Sequence, residues 1–248
     1  HGMFLVTGPT GSGKTTTLYA GLSHIDRNQR NIVTVEDPVE YDLDGIGQVH
    51  VNTKTGLTFA SGLRSILRQD PDVVLVGEIR DLETAEIAIQ ASLTGHLVLS
   101  TLHTNTAIGA ITRLQDMGVD SYLIASSLSG IMAQRLVRVL CNNCKKASPA
   151  SEKEKNILGL PDDEEITLYH HVGCAECNQT GFRNRVGIFE LIVIDSEIKT
   201  MIHNGADEQS LLKAIRKNSP SILDHGLQRV RDGSTSLDEV LRVTMYDQ

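Results

Sequence analysis

The stretch that decides the fold is GMFLVTGPTGSGKTTTLYA, residues 2–20. Its apolar run, residues 3–7, predicts a buried β-strand, and residues 14–25 predict an α-helix. Between the two, residues 8–15 match the phosphate-binding pattern G-x-x-x-x-G-K-[S/T] in full. A glycine-rich turn without a ligand is the alternative, but the strand before and the helix after are the context that phosphate binding needs.

The residue types of this loop suit a nucleotide with magnesium. Glycine has no Cβ, so successive backbone N–H groups can converge on phosphate oxygens, and the following helix adds the positive end of its dipole. Lys14 supplies a mobile positive charge, and Thr15 supplies a hydroxyl ligand for Mg²⁺. We therefore predict nucleotide contacts from Gly8, Pro9, Thr10, Gly11, Ser12, Gly13, Lys14, Thr15 and Thr16.

Strand-like and helical patterns alternate along the first part of the chain. Strands are predicted at residues 3–7, 31–36, 48–51, 73–76 and 97–100, and helices at 14–25, 58–69, 82–93 and 106–117. This alternation is typical of an α/β fold with a mostly parallel sheet. Residues 186–194 predict a further strand, and three short helices are expected after it. We expect three domains: an α/β core with the phosphate-binding loop (1–140), a cysteine-containing subdomain (141–182) and a C-terminal strand and helical subdomain (183–248).

Carboxylates follow two of these strands, at the sheet edge where such folds bind ligands. Glu78 ends the run DVVLVGE (residues 72–78), and VEDPVE (residues 35–40) supplies Glu36, Asp37 and Glu40. Carboxylates there can hold Mg²⁺ or orient an attacking water. The alternative is that they are solvated loop acids. We predict functional roles for Glu78, as a magnesium ligand, and for Glu40.

Two histidines and two arginines are further candidates. His96 and His103 flank the predicted strand 97–100, so we expect both near the same sheet edge as the acids, although isolated histidines are more often structural. Arg64 and Arg68 lie four residues apart on one predicted helix, hence on one face. They could meet a phosphate of their own or of a neighbouring subunit, or they could be solvated or paired with acids.

The four cysteines form two pairs, Cys141-x-x-Cys144 and Cys174-x-x-Cys177. Two such pairs can enclose one tetrahedral thiolate site, which structural Zn²⁺ favours. The residues between the pairs are poor in apolar side chains, so a metal would contribute much of their stability. An iron–sulfur cluster, redox disulfides and unliganded thiols are the alternatives.

Composition and charge narrow the class of protein. With 40% hydrophobic residues the chain can bury a core, and its net charge of -8 disfavours an extended nucleic-acid-binding face. We see no apolar run of the roughly 20 residues that cross a bilayer, and no leader peptide. We therefore expect a cytoplasmic protein whose membrane contact comes through partners. Because a strand begins directly after His1, we also expect a piece of a longer protein that lacks its N-terminal domain.

Four motifs, in this order, resemble one family. GPTGSGKTT (8–16), TVEDPVEY (34–41), RQDPDVVLVGEIRD (68–81) and TGHLVLSTLHTN (94–105) are similar to the Walker A motif, aspartate box, Walker B motif and histidine box of the secretion and type IV pilus ATPases. Two motifs of the tail, GFRNRVGIFELIVI (181–194) and SLDEVLRVT (236–244), resemble the type II secretion branch, the general secretion pathway E proteins. The resemblance therefore covers essentially the whole chain.

The resemblance implies a RecA-like, Mg²⁺-dependent ATPase that works as a homohexamer on inner-membrane platform proteins. It implies a location on the cytoplasmic face of the bacterial inner membrane, where ATP hydrolysis drives pseudopilus assembly and protein export. A tetracysteine zinc subdomain is also implied.

The same resemblance assigns roles to residues. Glu40 matches the catalytic base or water-positioning group, and Glu78 the Walker B carboxylate near Mg²⁺. His96 and His103 match the histidine box. Arg64 and Arg68 match arginines that approach the nucleotide. Two further arginines of the family's site belong to the preceding N-terminal domain.

Three other functions remain open at this stage. A type IV pilus assembly ATPase shares every catalytic motif, whereas retraction ATPases are not expected to carry the cysteine pairs. A DNA-translocating RecA-like motor would need a basic lumen, which the acidic balance disfavours. A non-hydrolysing, nucleotide-gated scaffold held by zinc is disfavoured by the intact set of acids.

Overall fold

The computed structural model describes residues 1–245, which form nine β-strands and ten α-helices. The strands are β1 (Gly2–Thr7), β2 (Ile32–Glu36), β3 (Gly47–His50), β4 (Val73–Val76), β5 (Leu97–Leu102), β6 (Leu128–Leu140), β7 (Lys146–Pro149), β8 (Thr167–His170) and β9 (Phe182–Val193). The helices are α1 (Lys14–Ser23), α2 (Phe59–Ile66), α3 (Leu82–Leu93), α4 (Gly109–Asp116), α5 (Ser121–Ser127), α6 (Glu152–Leu158), α7 (Ser196–His203), α8 (Glu208–Ile215), α9 (Ile222–Arg231) and α10 (Leu237–Met245).

By its internal contacts the chain divides into two compact units. The first comprises His1–Ala133 and Leu191–Ser219, and the second comprises Gln134–Glu190 and Pro220–Gln248. Two of the three boundaries fall inside long strands, β6 and β9, and the third falls between α8 and α9. The three domains expected from the sequence (1–140, 141–182 and 183–248) divide the chain differently from these two units, and they stay a prediction. Residues 246–248 of the last domain lie outside the described residues.

The first unit is built on a parallel sheet. The strand order is β3-β2-β4-β5-β1-β6-β9, and the pairs from β3 through β6 are parallel. β1 and β5 run in register, from Gly2 opposite Leu97 to Thr7 opposite Leu102. The mostly parallel sheet predicted from the alternating pattern is therefore confirmed. Because the strands are parallel, the loops that follow β1, β2, β4 and β5 leave the sheet at the same edge, called the carboxyl edge below.

The core of the first unit explains why its strands are apolar throughout. Parallel strands are covered on both faces, and β2 and β4 are buried along their whole lengths. Helix α1 packs Leu18, Tyr19 and Leu22 into a cluster with side chains of β1, β2, β4 and β5. Each such side chain contributes about 1.5–3 kcal/mol by leaving water, so the helix is fixed to the sheet by its buried face.

Some helix ends and strand ends differ from the prediction for local reasons. The helix expected at residues 58–69 ends at Ile66, and a 3₁₀ turn, Leu67–Gln69, follows it. Asp70 then takes a left-handed conformation (φ 50°) directly before a proline, where helical backbone is disfavoured. β2 begins one residue later than expected, since the Asn31 N–H donates to the carboxylate of Asp72 at 2.8 Å.

The prediction missed five elements and one helix of the tail. No strand or helix was expected where α5, β6, β7, α6 and β8 lie, and four helices follow β9 where three were predicted. The additional helix arises because α8 and α9 are separate helices. Each begins at its own capping side chain, Asp207 for α8 and Ser221 for α9. Within residues 1–245, no helix is both long enough and apolar enough to span a membrane.

The second unit has its own apolar core. Leu158 of α6 and Leu168 of β8 pack into a cluster with Val137, Ile188 and side chains of α9 and α10. The apolar residues of the cysteine-containing segment therefore lie in a core that this segment shares with the C-terminal helices.

A buried carboxylate joins β6 to α10 in this unit. The Glu239 side chain is fully buried, and its oxygens accept hydrogen bonds from the Arg138 backbone N–H at 3.0 Å and from its Nη2 at 2.7 Å. Arg242 donates two more, from Nε at 2.9 Å and from Nη2 at 2.7 Å. Burial alone would raise the pKa of Glu239, but the hydrogen bonds from Arg242 and Arg138 outweigh burial and lower it from 4.5 to about 2.

We predict that Glu239→Gln lowers the free energy of unfolding at pH 7 by about 2 kcal/mol, because two arginines lose a charged acceptor. A carboxyl group whose folded pKa is lowered contributes stability above its ordinary pKa of 4.5, and this contribution fades as pH falls toward 2. The difference between wild type and variant should therefore shrink between pH 6 and pH 3. Urea unfolding at several pH values measures it.

The matched control is Glu197→Gln, whose partner Lys217 lies at 2.9 Å in an ion pair with both side chains more than half exposed. Exposed pairs of this kind contribute between 0 and about 1 kcal/mol. A difference for Glu239→Gln that stays constant across the pH range would contradict the role of its ionised form.

Candidate functional site

The predicted phosphate loop lies at the carboxyl edge, between β1 and α1. Gly8, Gly11 and Gly13 all have positive φ, at 144°, 76° and 87°. Gly13 is the N-cap of α1, and it makes no side-chain capping hydrogen bond. The first-turn N–H groups of a helix have no intrahelical partner, and such groups at a glycine-rich start bind phosphate readily. The backbone therefore has the form that a phosphate group requires.

Lys14 is held over this loop. Its Nζ donates to the carbonyl oxygens of Gly8 at 2.8 Å and Pro9 at 3.0 Å. The ammonium group thus contacts the loop backbone. A bound phosphate would draw it away from these carbonyls toward a phosphate oxygen. Thr15 follows in the first turn of α1, and Thr16 is exposed one residue further on.

Glu78 and His103 meet at the same edge. Glu78 follows β4, its side chain is 13% exposed, and its Oε2 lies 3.3 Å from Nε2 of His103, which directly follows β5. The turn that carries Glu78 is fixed to β5, because Thr101 Oγ1 donates to the Gly77 carbonyl at 2.7 Å and the Ile79 N–H donates to the Thr101 carbonyl at 3.1 Å. A carboxylate and an imidazole are thus held together on neighbouring strand ends.

Arg80 is a member of the site that the sequence reasoning did not single out. Its guanidinium contacts Oε1 of Glu78 and lies 5.9 Å from the centroid of the Phe59 ring. The hydrogen bond with Glu78 raises the pKa of Arg80, and the charge of Asp37 adds to this. A cation two residues after a strand-end carboxylate was the signal available in the sequence. A metal ion that binds Glu78 would compete with this arginine for the same oxygen.

The acids after β2 have two different environments. Glu36 is the last residue of β2 and is 2% exposed, whereas Asp37 and Glu40 are exposed in the loop that follows. The backbone N–H of Glu40 hydrogen-bonds the hydroxyl of Tyr19 on α1. Glu40 is therefore placed at the carboxyl edge with its side chain open to solvent, while Glu36 is part of the interior.

His96 lies at the opposite edge of the sheet, so the expectation that both histidines share the edge of the acids is wrong for His96. Its carbonyl accepts from the Gly2 N–H at 3.1 Å, at the start of β1, and its Nδ1 lies 2.8 Å from the Ala91 carbonyl. The two histidines flank one strand, and the two ends of a strand lie at opposite edges. Across the six residues of β5 this amounts to about 20 Å.

The two arginines do not reach the phosphate loop of their own chain. Arg64 pairs with Glu83 at 2.7 Å, with both side chains about half exposed. Arg68 is exposed in the 3₁₀ turn after α2, so the helical spacing expected between the two is interrupted. The neighbouring Gln69 carbonyl accepts from Asn31 Nδ2 at 2.8 Å, directly before β2, which places Arg68 at the same edge as His96.

The four cysteines come together in the second unit. Their Sγ atoms all lie within 4.8 Å of one another, with separations of 3.9 Å for Cys141–Cys174, 3.8 Å for Cys144–Cys177 and 3.7 Å for Cys174–Cys177. Four sulfurs bound tetrahedrally at about 2.3 Å from zinc would be about 3.8 Å apart. None of the four is in a disulfide. The cluster thus has the size and the ligand type of a tetrahedral thiolate metal site.

Backbone N–H groups point at these sulfurs. Gly173 donates to Cys144 Sγ at 3.3 Å, and Cys174 and Gly181 donate to Cys177 Sγ at 3.2 Å each. Burial would raise the pKa of Cys177, but these two N–H groups outweigh it and lower the pKa to about 6. Gly173 and Gly181 have positive φ, and a Cβ on either would come within 2.7 Å of another atom, so both turns need glycine.

Comparison with known proteins gives the same picture. A family model described as "Type II/IV secretion system protein" matches residues 1–242. The type II secretion system ATPase E of Vibrio cholerae is 59% identical over 244 residues, covering 98% of this chain and 48% of that protein. The type II secretion system protein E of Pseudomonas aeruginosa is 60% identical over 244 residues, covering 98% of this chain and 49% of that protein.

Solved structures share the fold. The pilus retraction motor PilT with bound ADP aligns with a TM-score of 0.70 at 29% identity, over 98% of this chain and 61% of that chain. The ATPase DotB of Legionella pneumophila aligns with a TM-score of 0.72 over 99% of this chain and 60% of that chain, and its 23% identity bears on the fold alone.

These matches have two consequences. The chain spans about half the length of the curated relatives that it matches. Since the family model covers nearly all of the chain and the relatives are well over half identical, the chain belongs to the type II/IV secretion system protein family, as a RecA-like P-loop member with a tetracysteine cluster.

Proposed function

We propose that this chain binds and hydrolyses ATP as the motor part of a type II secretion system. The observation that carries the proposal is the meeting of the phosphate loop, Glu78 and His103 at one edge of a parallel sheet. The relatives of 59% and 60% identity, named as type II secretion proteins, favour this system over type IV pilus assembly, which is the second candidate.

The chain's own residues would divide the work of hydrolysis. The loop N–H groups and Lys14 would bind the phosphates and stabilise the charge that develops on the transferred phosphoryl group. Glu40, exposed at the carboxyl edge, would orient the attacking water, and His103 would face the terminal phosphate beside Glu78. Thr15 and Glu78 would hold Mg²⁺, which neutralises phosphate charge when bound.

Arg80 would act before hydrolysis. It contacts the carboxylate that would hold Mg²⁺, and it interacts electrostatically with Asp37. Binding of Mg²⁺ with ATP would therefore require Arg80 to leave Glu78 Oε1.

The assembly and its location are part of the proposal. We infer a homohexamer of the longer protein, attached to platform proteins on the cytoplasmic face of the inner membrane, with no nucleic acid partner. His96, Arg64 and Arg68 would contribute to the nucleotide site of a neighbouring subunit, because His96 and Arg68 lie at the edge of the sheet opposite to their own phosphate loop.

We predict that Lys14→Ala and Glu78→Gln each lower ATP turnover at least 100-fold, which corresponds to about 3 kcal/mol of transition-state stabilisation. The measurement is phosphate release from Mg-ATP. The matched controls are Lys153→Ala, an exposed residue of α6, and Glu197→Gln of the surface ion pair with Lys217, and both should turn over ATP as the wild type does. Turnover near the wild-type rate in either site variant would refute the assignment.

We also predict that the purified protein carries one zinc ion per chain, held by Cys141, Cys144, Cys174 and Cys177. Zinc would supply structural cross-linking here, so Cys144→Ser should lose the metal and lower the unfolding temperature, whereas Asn143→Ser, an exposed change in the same turn, should do neither. Elemental analysis gives the metal content. Visible absorption from iron, or fewer than four free thiols after denaturation with a chelator, would contradict zinc.

A mixing experiment tests the neighbouring-subunit role. Arg68→Ala subunits keep the phosphate loop, and Lys14→Ala subunits keep the arginine, so mixed oligomers contain some sites with both groups intact. We expect each variant alone to be nearly inactive and an equimolar mixture to recover part of the turnover. A mixture no more active than the average of the two variants would place Arg68 outside the neighbour's site.

A further inference from the structure

Glu36 is a buried carboxylate that the proposed chemistry does not use. It is 2% exposed at the end of β2. Its Oε1 accepts from Thr34 Oγ1 at 2.5 Å and from Gln48 Nε2 at 3.3 Å, and its Oε2 accepts from the hydroxyl of Tyr19. Within residues 1–245, no lysine or arginine contacts this carboxylate. Burying a carboxylate is costly unless donors surround it, so the three donors must be held in place by the fold.

Tyr19 is the donor that connects this group to the phosphate loop. It lies on α1, five residues after Lys14, and it is 1% exposed. Its hydroxyl donates to Glu36 and accepts from Gln48 Nε2 at 3.2 Å and from the backbone N–H of Glu40. Burial and the neighbouring Glu36 raise the pKa of Tyr19 far above its ordinary value, so it stays a donor at physiological pH.

The loop after β2 is held by the same group of residues. Gln48 Nε2 donates to the Tyr41 carbonyl at 3.2 Å, and Gln48 Oε1 accepts from the Leu43 N–H at 2.7 Å. The ring of Tyr41 packs edge-on against the ring of Tyr19, with centroids 4.8 Å apart. Tyr19 and Gln48 therefore fix the loop through the backbone of Glu40, Tyr41 and Leu43.

We propose that Tyr19 is a positioning residue, which couples the phosphate-loop helix to the loop that carries Glu40. Glu36 and Gln48 serve as its anchors. The inference rests on the proposed function in one respect, the assignment of Glu40 to the attacking water. One hydroxyl connects the backbone of Glu40 to the helix that begins with Lys14, so Lys14 and the loop of Glu40 keep a fixed separation.

The ring of Tyr19 and its hydroxyl have different roles, packing for the ring and positioning of the loop for the hydroxyl. The Tyr19 ring belongs to the apolar cluster of α1 and the sheet, and a phenylalanine would fill the same space. Only the hydroxyl reaches Glu36, Gln48 and Glu40. Loss of the hydroxyl should therefore leave nucleotide binding intact and misplace the Glu40 loop, which affects kcat and not KM.

The first test is Tyr19→Phe, assayed by phosphate release and by hydrogen exchange of residues 37–44 without nucleotide. We expect kcat to fall about tenfold with KM for ATP within about twofold of wild type. We also expect faster exchange in residues 37–44, since the Glu40 amide loses its acceptor. The matched control is Tyr122→Phe, which removes a hydroxyl from a half-exposed ring of α5 and should change neither quantity.

A second variant, Gln48→Met, removes another of the three donors to Glu36 together with the hydrogen bonds of Gln48 to the loop, and should give the same pair of changes. The double variant Tyr19→Phe with Gln48→Met should be no slower than about the worse of the two single variants, because both act through one loop. Unaltered exchange of residues 37–44 in Tyr19→Phe, or an unaltered kcat, would overturn the proposal.

The failure of this inference can be told from failure of the proposed function. If Lys14→Ala abolishes turnover while Tyr19→Phe behaves as wild type, only the positioning role falls. If Lys14→Ala turns over ATP normally, the proposed function falls, and the exchange of residues 37–44 still reports whether Tyr19 holds the loop.

Discussion

The in-register parallel pairing of β1 and β5 is the constraint on which the nucleotide edge depends. It brings Thr7 and Leu102 to the same level, so the loop that begins at Gly8 and the histidine that follows β5 leave the sheet together. The pairing of β4 with β5 then places Glu78 beside His103. Strands buried on both faces resist slipping, because a shift of one residue reverses every side chain. The geometry of the site is thus set by backbone hydrogen bonds and aliphatic packing before any catalytic residue contacts another.

Three carboxylates have different roles because the side chains around them differ. Glu239 is fully buried between two arginines, which lower its pKa to about 2, so it stays ionised and structural. Glu36 is as deeply buried but is held by neutral donors, which fix its position. Glu78 is partly exposed and contacts Arg80 and His103, both more than half exposed themselves. Because Arg80 and His103 are largely exposed, each can turn toward solvent when a metal ion takes its place beside Glu78.

Much of this arrangement could be predicted from local sequence, and the rest depended on which elements face each other. The phosphate loop and Glu78 are each specified by a strand and the residues directly after it, so periodicity and glycine spacing sufficed. The two cysteine pairs likewise predicted the cluster that the structure brings within 4.8 Å. The role of Tyr19 could not be predicted, because it requires α1 to pack against β2. It also requires β3, the neighbour of β2 in the sheet, to supply Gln48. His96 was misplaced for a simpler reason: strand direction was known, but residues before and after the strand were treated as neighbours.

The separation of His96 and Arg68 from the phosphate loop bears on how the proposed hydrolysis would be controlled. Both lie at the amino edge of the sheet, about 20 Å from the edge that holds Lys14 and Glu78. Side chains cannot cross that distance, so any contact that they make with a nucleotide is with one bound to another subunit. A head-to-tail interface would present the amino edge of one subunit to the carboxyl edge of the next, and repetition of such an interface forms a ring when the rotation between subunits closes. Under the proposed arrangement a lone subunit would bind ATP but would lack part of the proposed hydrolytic machinery. Subunit contact would then determine when ATP is hydrolysed.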